Sequence, residues 1–346
     1  MSTIVKSPAQ TPSFGAPDSS SISGWRKVVR TVGGQNLSLM AALVLLVTVI
    51  GSQNENLFLP QNLKTIGTSV AVLGIIAIGQ SVVMIVGGLD ISVGSQAGLA
   101  SVASAMIFTS TGSAVVGIFA ALAIGAVVGL FNAVVIVYGR VHAVIATLAT
   151  FAGFRGIANL VSDGRSQGYT GSDPVFVFLA NGTVLGIPVL IWMLALVAVL
   201  VHIMLRYTDI GRKTYAIGGN DVASRLSGIN LNRYVMGAYV LMGIIAAVAG
   251  ILLTARTGGG QPVSGSQGLE LQAITAAALG GCALQGGKGT VFGTILAVVL
   301  LGVLTNGLTI LGINSFWQDI AQGALLIIAV MIQQKRVRQR AVGLPA

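Results

Sequence analysis

The segment closest to a nucleotide-binding motif is a glycine-rich turn around Lys288. It reads Gly-Gly-Lys-Gly-Thr over residues 286–290. A phosphate-binding loop requires glycine where Cys282 stands and serine or threonine where Gly289 stands. The chain therefore carries no recognisable nucleotide site, and any uphill movement of a solute would draw its energy from an ion gradient or from another subunit.

The other reactive side chains are too few and too scattered for catalysis. The 346 residues include two histidines, His142 and His202, one cysteine and nine acids. No pair of acids has a spacing typical of acid–base catalysis or of a proton relay. The single Cys282 excludes an internal disulfide, and its apolar, small-residue surroundings indicate a packed core position. We expect no enzymatic activity, no cofactor and no metal.

The composition is that of an all-α integral membrane protein. Hydrophobic residues make up 54% of the chain and charged residues only 8%, whereas soluble domains average about a quarter charged residues. Between residues 65 and 139 the only Asp, Glu, Lys or Arg is Asp90. Long unbroken apolar runs favour helices over a β-barrel.

The apolar runs predict about ten transmembrane helices, with broken or re-entrant segments, at residues 37–51, 65–86, 95–108, 114–138, 143–161, 187–205, 234–254, 269–284, 291–311 and 316–332. An even number of spans places both termini on one side. That side holds 15 of the 19 Lys and Arg residues, so the positive-inside rule makes it the cytoplasm. The predicted parts are a disordered basic tail at 1–34, a membrane domain at 35–334 and a basic tail at 335–346.

A few polar side chains in the apolar runs could line a path for a neutral, hydroxyl-rich solute. The candidates are Gln80, Asp90, Asn132, Gln272, Thr275 and Asn306. Hydrogen bonding between helices is the alternative role for the amides and the hydroxyl. Asp90 and Glu270 stand where predicted spans begin, so they could instead cap backbone N–H groups. The shortage of charge deep in the membrane argues against coupling to ions.

Glycine patterns predict breaks and close helix contacts. Gly-Gly-x5-Gly occurs at 87–94 and again at 286–293, each time opening a span, which hints at two related halves. Gly125 and Gly129 form a Gly-x-x-x-Gly pattern that is typical of closely packed membrane helices.

One polar stretch, residues 206–233, separates two long apolar runs. Its charged residues are Arg206, Asp209, Arg212, Lys213, Asp221, Arg225 and Arg233. The charge asymmetry places this stretch in the cytoplasm. Gly218-Gly219-Asn220 predicts a turn that leads into a short segment with helical potential.

Three separated segments together resemble one family, the ribose-type permeases of ATP-binding-cassette (ABC) importers. Residues 87–94 (GGLDISVG) resemble its GG-[IL]-D-[IL]-S-V-G signature. Residues 216–229 (AIGGNDVASRLSGI) are similar to its cytoplasmic AIGGN-[ED]-x-A-x4-GI loop, and residues 279–290 (LGGCALQGGKGT) to its LGG-x-x-L-x-GGKG segment. The resemblance runs from about 62 to 334 and leaves the N-terminal tail without an assigned role.

The resemblance implies the permease subunit of a binding-protein-dependent importer in the bacterial inner membrane. It implies a second permease copy, identical or related, a separate ABC ATPase subunit, and a periplasmic sugar-binding protein that delivers a monosaccharide or polyol. It also implies that stretch 206–233 is the cytoplasmic coupling loop that docks on the ATPase. The residues that would carry this role are Gly218, Gly219, Asn220, Asp221, Val222, Ala223, Arg225, Leu226, Gly228 and Ile229.

The predicted coupling helix spans residues 221–229 and would lie in a groove of the ATPase. Val222, Leu226 and Ile229 give it an apolar stripe at i, i+4 and i+7. Asp221 and Arg225 could pair with each other or contact the partner.

The segment departs from the general Glu-Ala-Ala-x3-Gly coupling motif, because Val222 replaces the first alanine and Gly228 comes one residue late. Gly218-Gly219 is expected to form the entry turn of the helix. The alternative is a basic loop that only fixes the membrane topology.

Two other functions stay open from the sequence: an ion-coupled secondary transporter and a passive polyol channel. The net charge of +10 is explained by basic residues that flank spans and contact membrane lipid, so we expect no nucleic-acid partner.

Overall fold

The computed structural model describes residues 34–341, with side chains described as far as Met331. Over this range the chain is almost entirely helical, which confirms the predicted fold class. The helices are α1 (Gly34–Gln53), a 3₁₀ helix (Glu55–Phe58), α2 (Pro60–Ile85), α3 (Val93–Thr111), α4 (Ala114–Val137), α5 (Ala143–Ser162), α6 (Pro174–Asn181), α7 (Val189–Tyr207), α8 (Asp209–Gly219), α9 (Asp221–Leu226), α10 (Leu231–Thr257), α11 (Leu269–Leu279), α12 (Val291–Ile310) and α13 (Ser315–Ala341). Strands β1 (Thr183–Val184) and β2 (Ile187–Pro188) form one antiparallel hairpin.

Ten helices correspond to the ten predicted spans. Within the described range, seven of them are long and apolar enough to cross a membrane, namely α1, α2, α4, α5, α7, α10 and α12. The others are α3, α11 and α13. Helix α11 is shorter than predicted, since it ends at Leu279 and Gly281 follows with a φ of 100°. Only glycine adopts that backbone conformation readily.

Helices α2 and α10 form the centre of the bundle. Every residue of α2 from Val70 to Ile85 is buried, as expected for a helix that is apolar all round. Helix α4 packs closely on α10, because a Cβ atom at Gly129 would overlap the carbonyl oxygen of Tyr239. The predicted close-packing role of the Gly125–Gly129 pair is confirmed.

The segment at residues 162–186, between two predicted spans, has regular structure of its own. It contains α6 and most of the hairpin. Phe176 of α6 is buried and packs edge-to-face on Phe108, with ring centroids 5.4 Å apart. Gln167 also pairs with Gly260 in an isolated antiparallel bridge. These contacts join the connections at one end of the bundle.

The opposite end collects the basic residues. Arg140 and Arg225 line one cavity there, and Gly218 contacts the turn that contains Lys288. This agrees with the predicted cytoplasmic side. The predicted tail at 1–34 lies outside the described residues except for Gly34. Helix α13 runs on to Ala341, so the basic segment that begins at Lys335 continues the last helix, and the final five residues lie outside the described range.

Candidate coupling site

Two breaks between helices meet at the end of the bundle that carries Arg140 and Arg225, the predicted cytoplasmic side. We call residues 86–92, between α2 and α3, the first break, and residues 280–290, between α11 and α12, the second break. The Gly287 N–H donates to the carbonyl oxygen of Ile85 at 2.9 Å. A Cβ atom at Gly286 would lie 2.9 Å from the Cα atom of Gly87. The repeated glycines therefore bring the two breaks into backbone contact.

Side chains hold the first break. The Oδ1 atom of Asp90 accepts hydrogen bonds from the Ser92 backbone N–H at 2.8 Å and from the Ser92 hydroxyl at 2.6 Å. Its Oδ2 atom accepts from the Gln96 amide at 3.0 Å, and the Asn132 amide donates to the Ser92 hydroxyl at 2.8 Å. The Gln80 amide, oriented to satisfy both partners, bonds the backbone N–H and carbonyl of Asp90. All five side chains are buried.

The backbone holds most of the second break. Ala283 N–H donates to the Lys288 carbonyl at 2.9 Å, and Gly286 N–H donates to the Ala283 carbonyl at 3.0 Å. Gly286 and Gly287 have φ angles of 91° and 72°, where a side chain would be strained. This turn thus depends on glycine conformation and backbone hydrogen bonds, and its buried Cys282 also contacts the Thr294 hydroxyl at 3.7 Å.

One tyrosine ties each break to a neighbouring helix. The Tyr239 hydroxyl on α10 donates to the Leu89 carbonyl of the first break at 3.2 Å. The Tyr215 hydroxyl on α8 donates to the Gly289 carbonyl of the second break at 2.9 Å. Neither tyrosine was singled out in the sequence, because nothing local marks a contact with a residue 74 or more positions away.

The two glycines before the coupling helix do not form its entry turn, contrary to the prediction. Gly218 and Gly219 are the last residues of α8. A Cβ atom at Gly218 would overlap the Ile85 carbonyl oxygen and the Gly287 nitrogen, whereas a Cβ atom at Gly219 would meet nothing within 4 Å. The glycine at position 218 therefore allows α8 to approach both breaks closely. The chain turns at Asn220, whose side chain accepts from the Ala223 N–H at 2.9 Å and caps α9, a role that asparagine fills well.

The coupling helix is also shorter than predicted, because α9 ends at Leu226. Val222 and Leu226 are 62% and 84% exposed, so two members of the expected stripe do face outward. Ile229 instead packs against the buried core. In the part of the chain that the structure describes, Asp221 and Arg225 form no ion pair with each other.

A cavity of about 550 Å³ lies beside α9. Arg225 lines it together with Arg140, from the turn between α4 and α5. Arg140 has a φ of 55°, a left-handed conformation that is uncommon outside glycine. Arg140 and Arg225 lie 85 positions apart in the chain, so the sequence did not indicate that they are close together.

The structure brings three of the six predicted path residues together and leaves three apart. Gln80, Asp90 and Asn132 share the network of the first break. Asn306 on α12 pairs with Asn62 on α2 through two amide hydrogen bonds of 2.9 and 3.0 Å. The Thr275 hydroxyl bonds the Leu271 carbonyl of its own helix at 2.7 Å, and Gln272 is half-buried on the same helix.

A second charged group lies near the opposite end of the bundle. The Oε1 atom of Glu270 accepts from the Gly268 N–H at 3.1 Å, in keeping with the proposed capping role. Arg155 donates to the Pro262 carbonyl and, at 2.7 Å, to the Ser266 hydroxyl. The Oε2 atom of Glu270 and the Nη2 atom of Arg155 are buried without a hydrogen-bond partner among the described residues. Arg155 was not singled out in the sequence, because its partners lie more than 100 positions away.

Comparisons with known proteins agree on one family. The family model described as "branched-chain amino acid transport system / permease component" matches residues 62–330. The ribose import permease protein of Escherichia coli K12 is 37% identical over 317 residues, which cover 91% of this chain and 98% of the relative. The ribose import permease of Bacillus subtilis 168 is 38% identical over 302 residues, 87% of this chain and 94% of the relative.

An L-arabinose ABC transporter permease of Azospirillum brasilense is also similar. It is 33% identical over 302 residues, which cover 87% of this chain and 88% of the relative. No solved structure matches the chain.

Proposed function

Since the chain belongs to this family of ABC transporter permeases, we propose that it moves a monosaccharide across the bacterial inner membrane as the permease subunit of an importer. Relatives named as ribose and L-arabinose permeases cover nearly the whole chain, which favours a pentose or a similar sugar or polyol. Members of the family work with an ATPase and a binding protein. The similarity to ABC permeases does not favour an ion-coupled carrier or a passive channel.

The assembly that we propose has four kinds of component. A periplasmic binding protein delivers the sugar, and a second permease copy, identical or related, completes the membrane unit. The cytoplasmic ATPase hydrolyses ATP and docks on the coupling loop at 206–233. Membrane lipid surrounds the remaining apolar faces, which include the exposed side of α7.

The observation that carries the docking proposal is the exposure of Val222 and Leu226 on a short cytoplasmic helix. Large apolar side chains at such exposure on a solvated face mark an interaction surface. We infer that they fill a groove of the ATPase, and that Arg140 and Arg225 bind an acidic side chain of the ATPase in the adjacent cavity. Charge complementarity would fix the register of docking.

Motion of the coupling helix would reach the membrane through α8. Gly218 is in backbone contact with Ile85 and Gly287, and Tyr215 bonds Gly289. Because α8 packs against the second break, a displacement of α8 would move the second break with it. We propose that this rearrangement opens the sugar path alternately to each side.

The path itself is proposed to run past the polar residues of α2, α4, α11 and α12. Gln80, Asp90 and Asn132 would line the fixed side of this path, at the first break. Gln272, Thr275 and Asn306 would offer hydrogen bonds to sugar hydroxyls.

A reconstitution separates this function from the alternatives. Proteoliposomes that contain this chain alone should show no uptake of radiolabelled ribose or arabinose, whereas addition of the ATPase, the binding protein and ATP should give uptake. Uptake by the chain alone, with or without an ion gradient, would contradict the proposal.

A matched pair of substitutions tests the docking surface. Leu226→Glu should abolish co-purification of the ATPase, because a charge would enter the apolar groove. Leu185→Glu is the control, since Leu185 is 88% exposed in the hairpin at the opposite end of the bundle. Retention of the ATPase by both variants would show that α9 is not the docking helix.

A further inference from the structure

A basic cavity of about 490 Å³ opens where α7, α8 and the start of α12 meet. Its volume falls in the range of ligand sites, about 300–1,000 Å³. The polar or charged lining comes from His202, Arg206, Arg212, Tyr215 and Thr290. It lies on the cytoplasmic side, and Arg206, Arg212 and Tyr215 of its lining belong to stretch 206–233, but it does not include the exposed residues of α9.

The positive charge around this cavity is not balanced by the protein. Arg206 forms no ion pair with any residue that the structure describes. Arg212 and Lys213 share a single carboxylate, that of Asp209, at 2.9 and 2.5 Å. Hydrogen bonds from Lys213 and then Arg212 hold the pKa of Asp209 below its usual range, so this acid is ionised at neutral pH. One carboxylate thus serves two cations, and Arg206 stays uncompensated.

The backbone adds to the positive potential. Helix α12, 20 residues long, begins at Val291 on the cavity wall. Thr290 caps one of its first N–H groups by accepting from Gly293 at 3.1 Å. The N-terminal end of a helix carries partial positive charge and favours a bound anion. The cavity therefore combines arginine side chains with a helix N-terminus.

An exposed apolar face leads up to the cavity. Along α7 the exposed side chains include Leu196, Val199, Leu200 and Ile203, which recur at helical spacing. Arg206 follows Ile203 by one helical turn, and the neighbouring Tyr207 is also exposed, as is common for aromatic residues at the membrane interface. A ligand that fits both parts has a long apolar chain and an anionic head.

We propose that this cavity binds the phosphate group of an anionic phospholipid of the inner leaflet, with an acyl chain along the exposed face of α7. Basic pockets between membrane helices on the cytoplasmic side are suited to such headgroups. Arg206 supplies the uncompensated charge, and the N-terminus of α12 lines the same cavity.

Native mass spectrometry of the detergent-solubilised transporter, titrated with phosphatidylglycerol, tests this site. Arg206→Gln should weaken binding of the tightest lipid about fivefold, the effect of one arginine near a charged membrane surface. Arg206→Lys should retain most of the binding. Arg233→Gln removes the same charge from the same side outside the cavity and should leave the tightest site unchanged.

Three outcomes would overturn the proposal. Equal weakening by Arg206→Gln and Arg233→Gln would mean diffuse surface attraction rather than a site. Equal retention of zwitterionic phosphatidylcholine by the unmodified chain would mean that the headgroup charge is not recognised. Arg206-dependent binding of inorganic phosphate that matches the affinity for the lipid would assign the cavity to a free phosphate.

Discussion

The first break and the second break carry the same Gly-Gly-x5-Gly pattern, but they are held together by different means. Five buried side chains centred on Asp90 and Ser92 fasten the first break to α2, α3 and α4. The second break is held mainly by its own backbone bonds and by contacts with Ile85, Gly218 and Tyr215. One pattern therefore supports two different local structures.

This difference predicts different mechanical roles. Displacing the first break would break several buried hydrogen bonds at once, which is costly in a low-dielectric interior, although the Gln96 and Asn132 amide oxygens have no hydrogen-bond partner among the described residues. Backbone packing between glycines limits how closely two segments can approach, but it does not hold them through side-chain hydrogen bonds. We therefore expect the first break to stay fixed, and the second break to move when α8 moves.

The largest effect is expected at Gly218. Gly218→Ala adds a Cβ atom that overlaps the Ile85 carbonyl and the Gly287 nitrogen, which forces α8 away from both breaks. Overpacking of this kind costs roughly 1–3 kcal/mol, so ATP-driven sugar uptake in proteoliposomes should fall by about tenfold or more.

Gly219→Ala is the matched control for this substitution. The neighbouring position has open space around its Cβ direction, so uptake should stay near that of the unmodified protein. Equal losses in the two variants would show that the contact of Gly218 with the breaks is not the route of coupling.

The next effect concerns stability of the first break. Asp90→Ala leaves the Ser92 N–H and the Ser92 hydroxyl without their acceptor, and each buried unsatisfied group costs about 1–3 kcal/mol. The Gln96 amide loses one of its two acceptors and keeps its 2.7 Å bond to the Ser92 hydroxyl. Thermal unfolding of the purified protein should therefore begin at a clearly lower temperature. Gln285→Ala, at an exposed position of the second break, should change stability by less than about 0.5 kcal/mol. Similar destabilisation by both would remove the distinction between the breaks.

The smallest effects are expected from the two tyrosines, each of which loses one hydrogen bond worth about 0.5–1.5 kcal/mol. Tyr239→Phe leaves the Leu89 carbonyl of the first break with only the 3.4 Å bond from the Thr147 hydroxyl and should lower thermal stability. Tyr215→Phe frees the Gly289 carbonyl of the second break and should lower the amount of sugar transported per ATP hydrolysed, with little change in stability. If Tyr215→Phe lowered thermal stability and Tyr239→Phe lowered the amount of sugar transported per ATP, the roles assigned to the two breaks would have to be exchanged.

The sequence predicted the helices well because long apolar runs and the positive charges that flank them are local signals. It also predicted close helix packing at Gly125 and Gly129, and the structure shows that the partner helix is α10. It misread Gly218-Gly219, since a glycine pair indicates a turn only when no other backbone lies against it. The cap by Asn220 was present in the sequence as a helix-start signal, and it marks the true entry to α9.

The remaining features depend on contacts between distant parts of the chain. Nothing near Tyr215, Arg140 or Arg155 in the sequence indicates its partner, which is the Gly289 carbonyl for Tyr215, the cavity beside α9 for Arg140, and the Pro262 carbonyl with the Ser266 hydroxyl for Arg155. The partial burial of Ile229 likewise follows from the angle at which α9 meets the bundle, and helical spacing alone cannot supply that angle.

Hydrogen–deuterium exchange on the assembled transporter tests the central claim most directly. The amides of residues 283–290 and 87–92 would be compared with and without a non-hydrolysable ATP analogue. The account predicts that nucleotide binding changes exchange in the second break, which includes the Gly287 N–H that bonds Ile85, and leaves the first break unchanged. A change confined to residues 87–92, or equal changes in both segments, would contradict it.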